Sequence, residues 1–234
     1  MAMMDKHLET KKHFRIFLRG GSMYRNRRRR ERAFWDRFAW LYDRFMKSSS
    51  GLYEKVFELL RQELQAEFVL LDLAVGTGLL ALKMAPQIKK VYGVDISPEM
   101  VGQAKVKSRA SRITNVEFSV GDAYRLPFDS IMFDVVLISN ALHVMIEPEQ
   151  ALSEAYRVLK TDGRLIVPTF CHGENRLSRF VSWVMSRFGF EAFQRWSIGG
   201  FEQFIAANHF KVLQKVILKD IIPLTYIVAE KKTN

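Results

Sequence analysis

The chain has 234 residues, a net charge of +11 and one cysteine, Cys171. Its 48% hydrophobic and 26% charged residues exclude global disorder, and the length suits one α/β domain with an appendage. A lone cysteine rules out an internal disulfide framework, no apolar run reaches 18 residues and no apolar segment opens the chain, so a reducing, cytoplasmic setting is expected.

Residues 1–36 hold 11 Lys/Arg against 4 Asp/Glu, a net +7, which leaves +4 for residues 37–234. Residues 1–23 read as a flexible basic tail. A solvated tail, a segment lying on anionic lipid and a nucleic-acid patch all fit that charge. Nucleic acid is the least supported partner, because no recognised binding module accompanies the charge. Residues 24–66 read as a helical N-terminal cap. In it Phe34, Trp35, Phe38, Leu41, Tyr42, Phe45 and Met46 share one helical face, with Asp36, Arg37, Asp43 and Arg44 between them. Ser48–Gly51 breaks the pattern, and a second helix is expected over Leu52–Leu64.

From Glu67 the pattern changes. Short apolar runs at Phe68–Leu73, Lys90–Val94, Val116–Val120, Phe133–Ile138 and Arg164–Thr169 read as strands. Helical segments at Leu79–Ala85, Pro98–Ala110 and Glu149–Leu159 fill most of the gaps, as in βα units around a parallel sheet. Phe210–Leu218 and Leu224–Ala229 read as a closing hairpin that adds an antiparallel strand.

Three strand ends carry ligand-binding chemistry. Asp72-Leu73-Ala74-Val75-Gly76-Thr77-Gly78 lies between a strand and a helix, where glycines let the backbone approach a ligand closely. Asp95 ends the second strand, where a carboxylate can accept hydrogen bonds from two ribose hydroxyls. Asp122, in Gly121-Asp122-Ala123, follows the third and can receive an adenine amino group.

With those motifs the chain resembles the class I S-adenosylmethionine-dependent methyltransferases, in the branch with quinone and phospholipid methyltransferases. The similar pieces are residues 70–78, 92–100, 121–128, 133–144 and 154–167. The resemblance implies a Rossmann-like, doubly wound, seven-stranded, mostly parallel sheet over residues 67–234. It also implies S-adenosylmethionine as cofactor, with S-adenosylhomocysteine as product. Carried across by position, it assigns cofactor binding to Asp72, Ala74, Gly76, Thr77, Gly78, Asp95, Ile96, Met100, Asp122, Ala123, Ser139 and Asn140. Ala74 stands where the family has its first glycine, and an ordinary backbone conformation is expected for it.

A second pattern competes. Gly76–Ala81 also satisfies G-x-G-x-x-A, and Tyr156 with Lys160 forms Y-x-x-x-K, as in NAD(P)-dependent short-chain oxidoreductases. Asp72 counts against that reading, since a carboxylate repels pyrophosphate but suits an amino group and a sulfonium. A cofactor-binding protein without catalysis is the other alternative.

Methyl transfer depends largely on positioning, and a base is needed only if the acceptor must lose a proton. His143, just past the fourth strand, is a candidate base or a pocket-shaping residue. Tyr42, on the cap helix, is a candidate contact to cofactor or acceptor, or one of an aromatic core stripe. No metal site is expected, because the five histidines show no ligand spacing. Residues 173–198 read as an inserted lid, in which Leu177, Val181, Val184 and Phe188 fall at helical spacing, or as a helix packed on the sheet. An aromatic lid favours a small, hydrophobic or aromatic acceptor such as a quinol or lipid. Contact of the basic N-terminus with an anionic membrane would suit such an acceptor.

Overall fold

A computed structural model describes residues 29, 31–40, 42–44, 50–187, 190 and 192–232. Among the described residues eight strands form one sheet: β1 (Val69–Leu73), β2 (Lys90–Asp95), β3 (Val116–Val120), β4 (Phe133–Leu137), β5 (Leu159–Ile166), β6 (Thr169–Phe170), β7 (Phe210–Leu218) and β8 (Leu224–Lys231). Their order is β3-β2-β1-β4-β5-β8-β6, with β7 pairing β8. β1 to β5 are mutually parallel, and β8 runs antiparallel to β5, β6 and β7. The closing hairpin therefore forms as expected, and β8 sits between β5 and β7.

The extra strand has a local cause. β5 and β6 lie end to end along the same edge of β8, through Leu165 and Ile166 and then Thr169 and Phe170. Pro168 between them lacks the N–H a continuous ladder needs. The sheet thus has seven strand positions. β5 also begins earlier than the sequence pattern indicates, because it includes Thr161-Asp162-Gly163. A register shift after Phe133 accommodates those residues. A Cβ on Gly163 would stand 2.9 Å from the Asp134 carbonyl oxygen, so only glycine fits beside the bulge.

Alternation along the strands fills both faces. Leu71, Val136 and Ile227 pack with Phe201, Ile205 and Phe210 on one side. On the other, Leu70, Val135 and Val228 pack with Val56, Leu60 and Ala81. The helices are α1 (described at residues 31–40 and 42–44), α2 (Ser50–Gln62), α3 (Leu79–Met84), α4 (Pro98–Ala110), α5 (Pro148–Val158), α6 (Arg176–Arg187) and α7 (Ile198–Ala207). α5 shows why they dock: Ala151, Leu152, Ala155 and Val158 recur on one face, and all are buried. α4 is started by Ser97, whose hydroxyl accepts from Met100 N–H, followed by Pro98 in its first turn. β1 has β2 on one side and β4 on the other, so the strand order reverses there. The crevice beyond the carboxyl ends of these strands is where such sheets hold ligands.

Candidate active site

The loop after β1 is anchored by the end of β2. One Asp95 oxygen, Oδ2, accepts from Gly76 N–H at 2.8 Å, and the other, Oδ1, accepts from Ser97 N–H at 2.9 Å. Each oxygen retains a lone pair for a further donor. Burial pushes the Asp95 carboxyl up to about 6, against the lowering effect of its backbone donors. Asp72 is buried too, and burial holds it well above the usual carboxylate range, with Asp95 adding repulsion. Gly76 has φ +54°, and its missing Cβ leaves the Tyr42 ring in contact distance.

Ala74 departs from expectation. Its φ is +61°, in the left-handed region, so the loop keeps the glycine-type conformation in spite of the alanine. A Cβ in that region costs on the order of 1 kcal/mol, which the rest of the loop must hold in place. Asn140, at the end of β4, is also left-handed with φ +50°. Its N–H donates to the Pro168 carbonyl at 2.8 Å.

Helix α1 closes the crevice through its acids. Ser97 Oγ donates to Asp36 at 2.5 Å, and Thr77 Oγ1 donates to Asp43 at 2.6 Å. Asp43 also pairs with Lys107, whose ammonium donates to the Thr77 carbonyl. These acids read as surface polar positions in the sequence, yet they pin the cap to the loop. Asp43→Ala is expected to cost about 1–2 kcal/mol, one charged hydrogen bond and a half-exposed ion pair. Limited trypsinolysis checks this: cleavage at Arg37 and Arg44 should accelerate while β-sheet content stays constant.

The crevice is a cavity of about 590 Å³. Of the residues singled out from sequence, Tyr42, Ala74, Gly76, Asp95, Ile96, Met100, Asp122, Ala123, Ser139, Asn140 and His143 line it. Asp72, Thr77 and Gly78 do not. Thr77 is buried against Asp43, and Gly78 (φ +78°) starts α3 with Ala104 and Phe118 packed where a Cβ would be. Asp122 Oδ1 accepts from Tyr124 N–H at 2.9 Å, which shapes the turn after β3.

Several lining residues gave no local sequence signal. Tyr53, from α2, accepts from Asn140 Nδ2 at 2.8 Å and is hydrogen-bonded to Tyr42. Burial raises the Tyr42 phenol well above its ordinary value and Tyr53 to about 12, so both are neutral donors at physiological pH. Ser139 Oγ and Asn140 Oδ1 are buried at the cavity with no hydrogen-bond partner among the described residues. Buried polar atoms of this kind call for a ligand or water.

His143 and His172 also line the cavity and stand against each other, with ring centroids 4.9 Å apart, beside Phe170 and Phe190. His143 Nδ1 and both His172 nitrogens lack partners among the described residues. Burial lowers both, His172 to about 4, so the imidazoles are neutral near pH 7. Among the described residues no Lys or Arg lines the cavity.

The competing dehydrogenase pair lies elsewhere. Tyr156, on α5, packs on Phe210 and His209, and Lys160 pairs with Asp134 at 2.6 Å. Neither lines the cavity. Cys171 is buried against Thr225, and burial raises its thiol to about 11.

Residues 71–167 match the methyltransferase domain family. Over that stretch, 97 of 234 residues, the chain is similar to the class I S-adenosylmethionine-dependent methyltransferases. S-adenosylmethionine is the cofactor of that domain. The chain is 36% identical over 121 residues to YcgJ, described as an uncharacterized methyltransferase, of Bacillus subtilis, covering 51% of this chain and 48% of that one. It is 42% identical over 103 residues to the demethylmenaquinone methyltransferase of Thermus thermophilus, covering 43% and 46%. It thus spans about half the length of the curated relatives it matches. The fold is shared more widely. The YcgJ crystal structure superposes with a TM-score of 0.65 at 23% identity, covering 77% of this chain and all of that one. A Haloferax volcanii protein solved in complex with the Trm112 methyltransferase activator reaches 0.72 at 21%, covering 87% and 98%.

Proposed function

We propose that this methyltransferase chain transfers the S-adenosylmethionine methyl group to a small, uncharged, hydrophobic or aromatic acceptor. The observation that carries the reading is the mixed lining of one cavity. It offers the Asp95 carboxylate and the unpartnered polar atoms of Ser139 and Asn140 together with aromatic rings and two neutral imidazoles, and no lining Lys or Arg among the described residues.

The residues suit the cofactor's parts. Asp95 has lone pairs for the ribose hydroxyls, and Asp122 an oxygen side for the adenine amino group. Asp72 is buried at the start of the loop, where a nearby cationic group would favour its ionised form, and Ser139 and Asn140 bring acceptors that lack partners among the described residues. Gly76 and Ala74 bring backbone close, Ile96, Met100 and Ala123 supply apolar contact, and Thr77 and Gly78 hold the loop in shape. S-adenosylmethionine supplies an already electrophilic methyl on a sulfonium, so the protein's task is alignment and exclusion of water. Tyr42 and Tyr53, as neutral donors over the loop, orient the bound groups. His143 and His172 can accept from or donate to an acceptor hydroxyl without adding charge. The absence of a lining cation among the described residues disfavours phosphate- or carboxylate-bearing acceptors. The relatives named for quinone methylation agree with a lipid-soluble, ring-bearing acceptor. No described helix is long and apolar enough to cross a membrane. The basic N-terminal tail expected at 1–23 lies outside the described residues; its charge supports peripheral contact with anionic lipid.

Incubation with methyl-labelled cofactor and fractionated cell extract tests the reading. Label should enter an organic-soluble, neutral product; transfer only into water-soluble ions, or none, overturns it. His143→Phe and His172→Phe should each lower kcat/KM by roughly 10- to 100-fold, the worth of one or two hydrogen bonds, while S-adenosylhomocysteine affinity stays unchanged. Unchanged kcat/KM in both variants would remove the imidazoles from acceptor recognition.

A further inference from the structure

Helix α6 is turned the unexpected way. An amphipathic helix on a protein surface buries its large apolar residues and exposes its small polar ones. Here Ser178 and Ser182 are buried, while Leu177, Phe180 and Trp183 are 57%, 59% and 53% exposed. The outward residues also form a unit: the Phe180 and Trp183 rings stack with centroids 6.0 Å apart, and the Arg187 guanidinium lies 5.8 Å from the Trp183 ring centre. Arg176, Arg179 and Arg187 are exposed, and α6 contains no Asp or Glu. Of Leu177, Val181, Val184 and Phe188, which fall at helical spacing in the sequence, Val181 lines the cavity and Leu177 is exposed, while Phe188 lies outside the described residues.

Helix α1 repeats the arrangement independently. Its acids Asp36 and Asp43 point inward to Ser97 and Thr77, whereas Arg37, Trp40 and Arg44 are exposed, Trp40 by 73%. Both helices line the same cavity, α1 through Phe34, Trp35, Phe38 and Tyr42 and α6 through Val181. Exposed tryptophan and other large apolar side chains interspersed with arginine are what a helix lying in a headgroup region presents. Arginine stems reach anionic headgroups while aromatic rings enter the acyl boundary.

We propose that the outward faces of α1 and α6 form a docking surface for an anionic phospholipid bilayer, set beside the cavity they both line. The surface stands on its own observations. Only its use, entry of a lipid-soluble acceptor directly from the bilayer, rests on the function proposed above.

Co-sedimentation of the full chain with vesicles tests this. Binding to mixed phosphatidylcholine–phosphatidylglycerol vesicles should exceed binding to pure phosphatidylcholine and weaken with added salt. The triple variant Leu177→Ser, Phe180→Ser, Trp183→Ser should bind the mixed vesicles about tenfold less, as expected for loss of the inserted apolar face. Its thermal stability and S-adenosylhomocysteine affinity should stay unchanged, since those side chains are solvent-facing. Replacing Arg27–Arg30 by alanine should retain most of the binding. A triple variant that binds like the parent, or loss of binding only in the Arg27–Arg30 variant, overturns the proposal in favour of the tail. Failure of the parent to bind overturns it outright. So does a concentration-dependent dimer without vesicles that the triple variant abolishes, because the face then serves a second copy. Methyl transfer to detergent-solubilised extract is scored separately, so failure of the docking surface and failure of the proposed activity are told apart.

Discussion

Asp95→Asn should weaken S-adenosylhomocysteine binding by about 100-fold, roughly 3 kcal/mol. Two ribose hydroxyls would lose a charged acceptor, and a hydrogen bond to a charged group contributes about 1.5–3 kcal/mol. The amide cannot replace the carboxylate even within the free protein. Gly76 N–H and Ser97 N–H each donate to a different Asp95 oxygen, so an asparagine must turn its NH2 toward one of them. The cofactor loop then loses its anchor as well as its ligand contact. Titration calorimetry checks this, and an affinity within threefold of the parent would show that Asp95 is not the ribose acceptor.

The same carboxyl should make binding pH-dependent. In the free protein Asp95 titrates near 6, because burial outweighs its backbone hydrogen bonds. Hydroxyl donors favour the ionised form, so affinity should fall as pH drops below about 6, approaching tenfold per unit, with proton release on binding. Stability of the free chain runs the other way. A carboxyl raised above its unfolded value favours folding below the ordinary carboxylate range, and that contribution is lost as pH rises through about 6. Asp72, raised by burial and by Asp95, has the same sign. Melting curves between pH 5 and 7 should therefore show the increment from S-adenosylhomocysteine shrinking toward the acid end.

Gly93→Val should destabilise the protein by about 2–3 kcal/mol through overpacking, lowering Tm by roughly 4–12 °C for a chain of this size. A Cβ at Gly93 would stand 2.5 Å from the Phe118 ring and 2.9 Å from Val75, both buried. Phe118 also packs 3.3 Å from the place of a Cβ on Gly78. A displaced ring therefore presses on the start of α3, and cofactor affinity should fall together with stability. Phe118→Leu in the Gly93→Val background should recover part of both, with a coupling of about 1 kcal/mol or more between neighbours in contact. Strict additivity would show that the two residues do not share this packing site.

The reading of this chain divides along physical lines. Period-two apolar runs and glycine- or acid-bearing strand ends are local signals, so the parallel sheet, the loop at 72–78, and Asp95 and Asp122 are legible residue by residue. Backbone conformation at a single position is less local: Ala74 is left-handed in a loop whose Gly76 is tied to Asp95, which no property of alanine announces. Partnerships across long sequence separations were invisible. Asp36 and Asp43 look like solvated helix positions until Ser97 and Thr77, 61 and 34 residues away, arrive beside them. Tyr53 becomes a site residue only through Asn140, 87 residues on, and His172 only through His143 across β6. The direction a helix faces is likewise a tertiary outcome. The sequence of α6 shows an amphipathic stripe, but the packing of Ser178 and Ser182 turned its aromatic side outward. The sequence by itself thus determined the sheet, the resemblance that names the cofactor and the carboxylates at the strand ends, because each follows from local pattern and chemistry. Only the tertiary structure decided what closes the cavity, which aromatic and histidine side chains line it and which surfaces are left exposed.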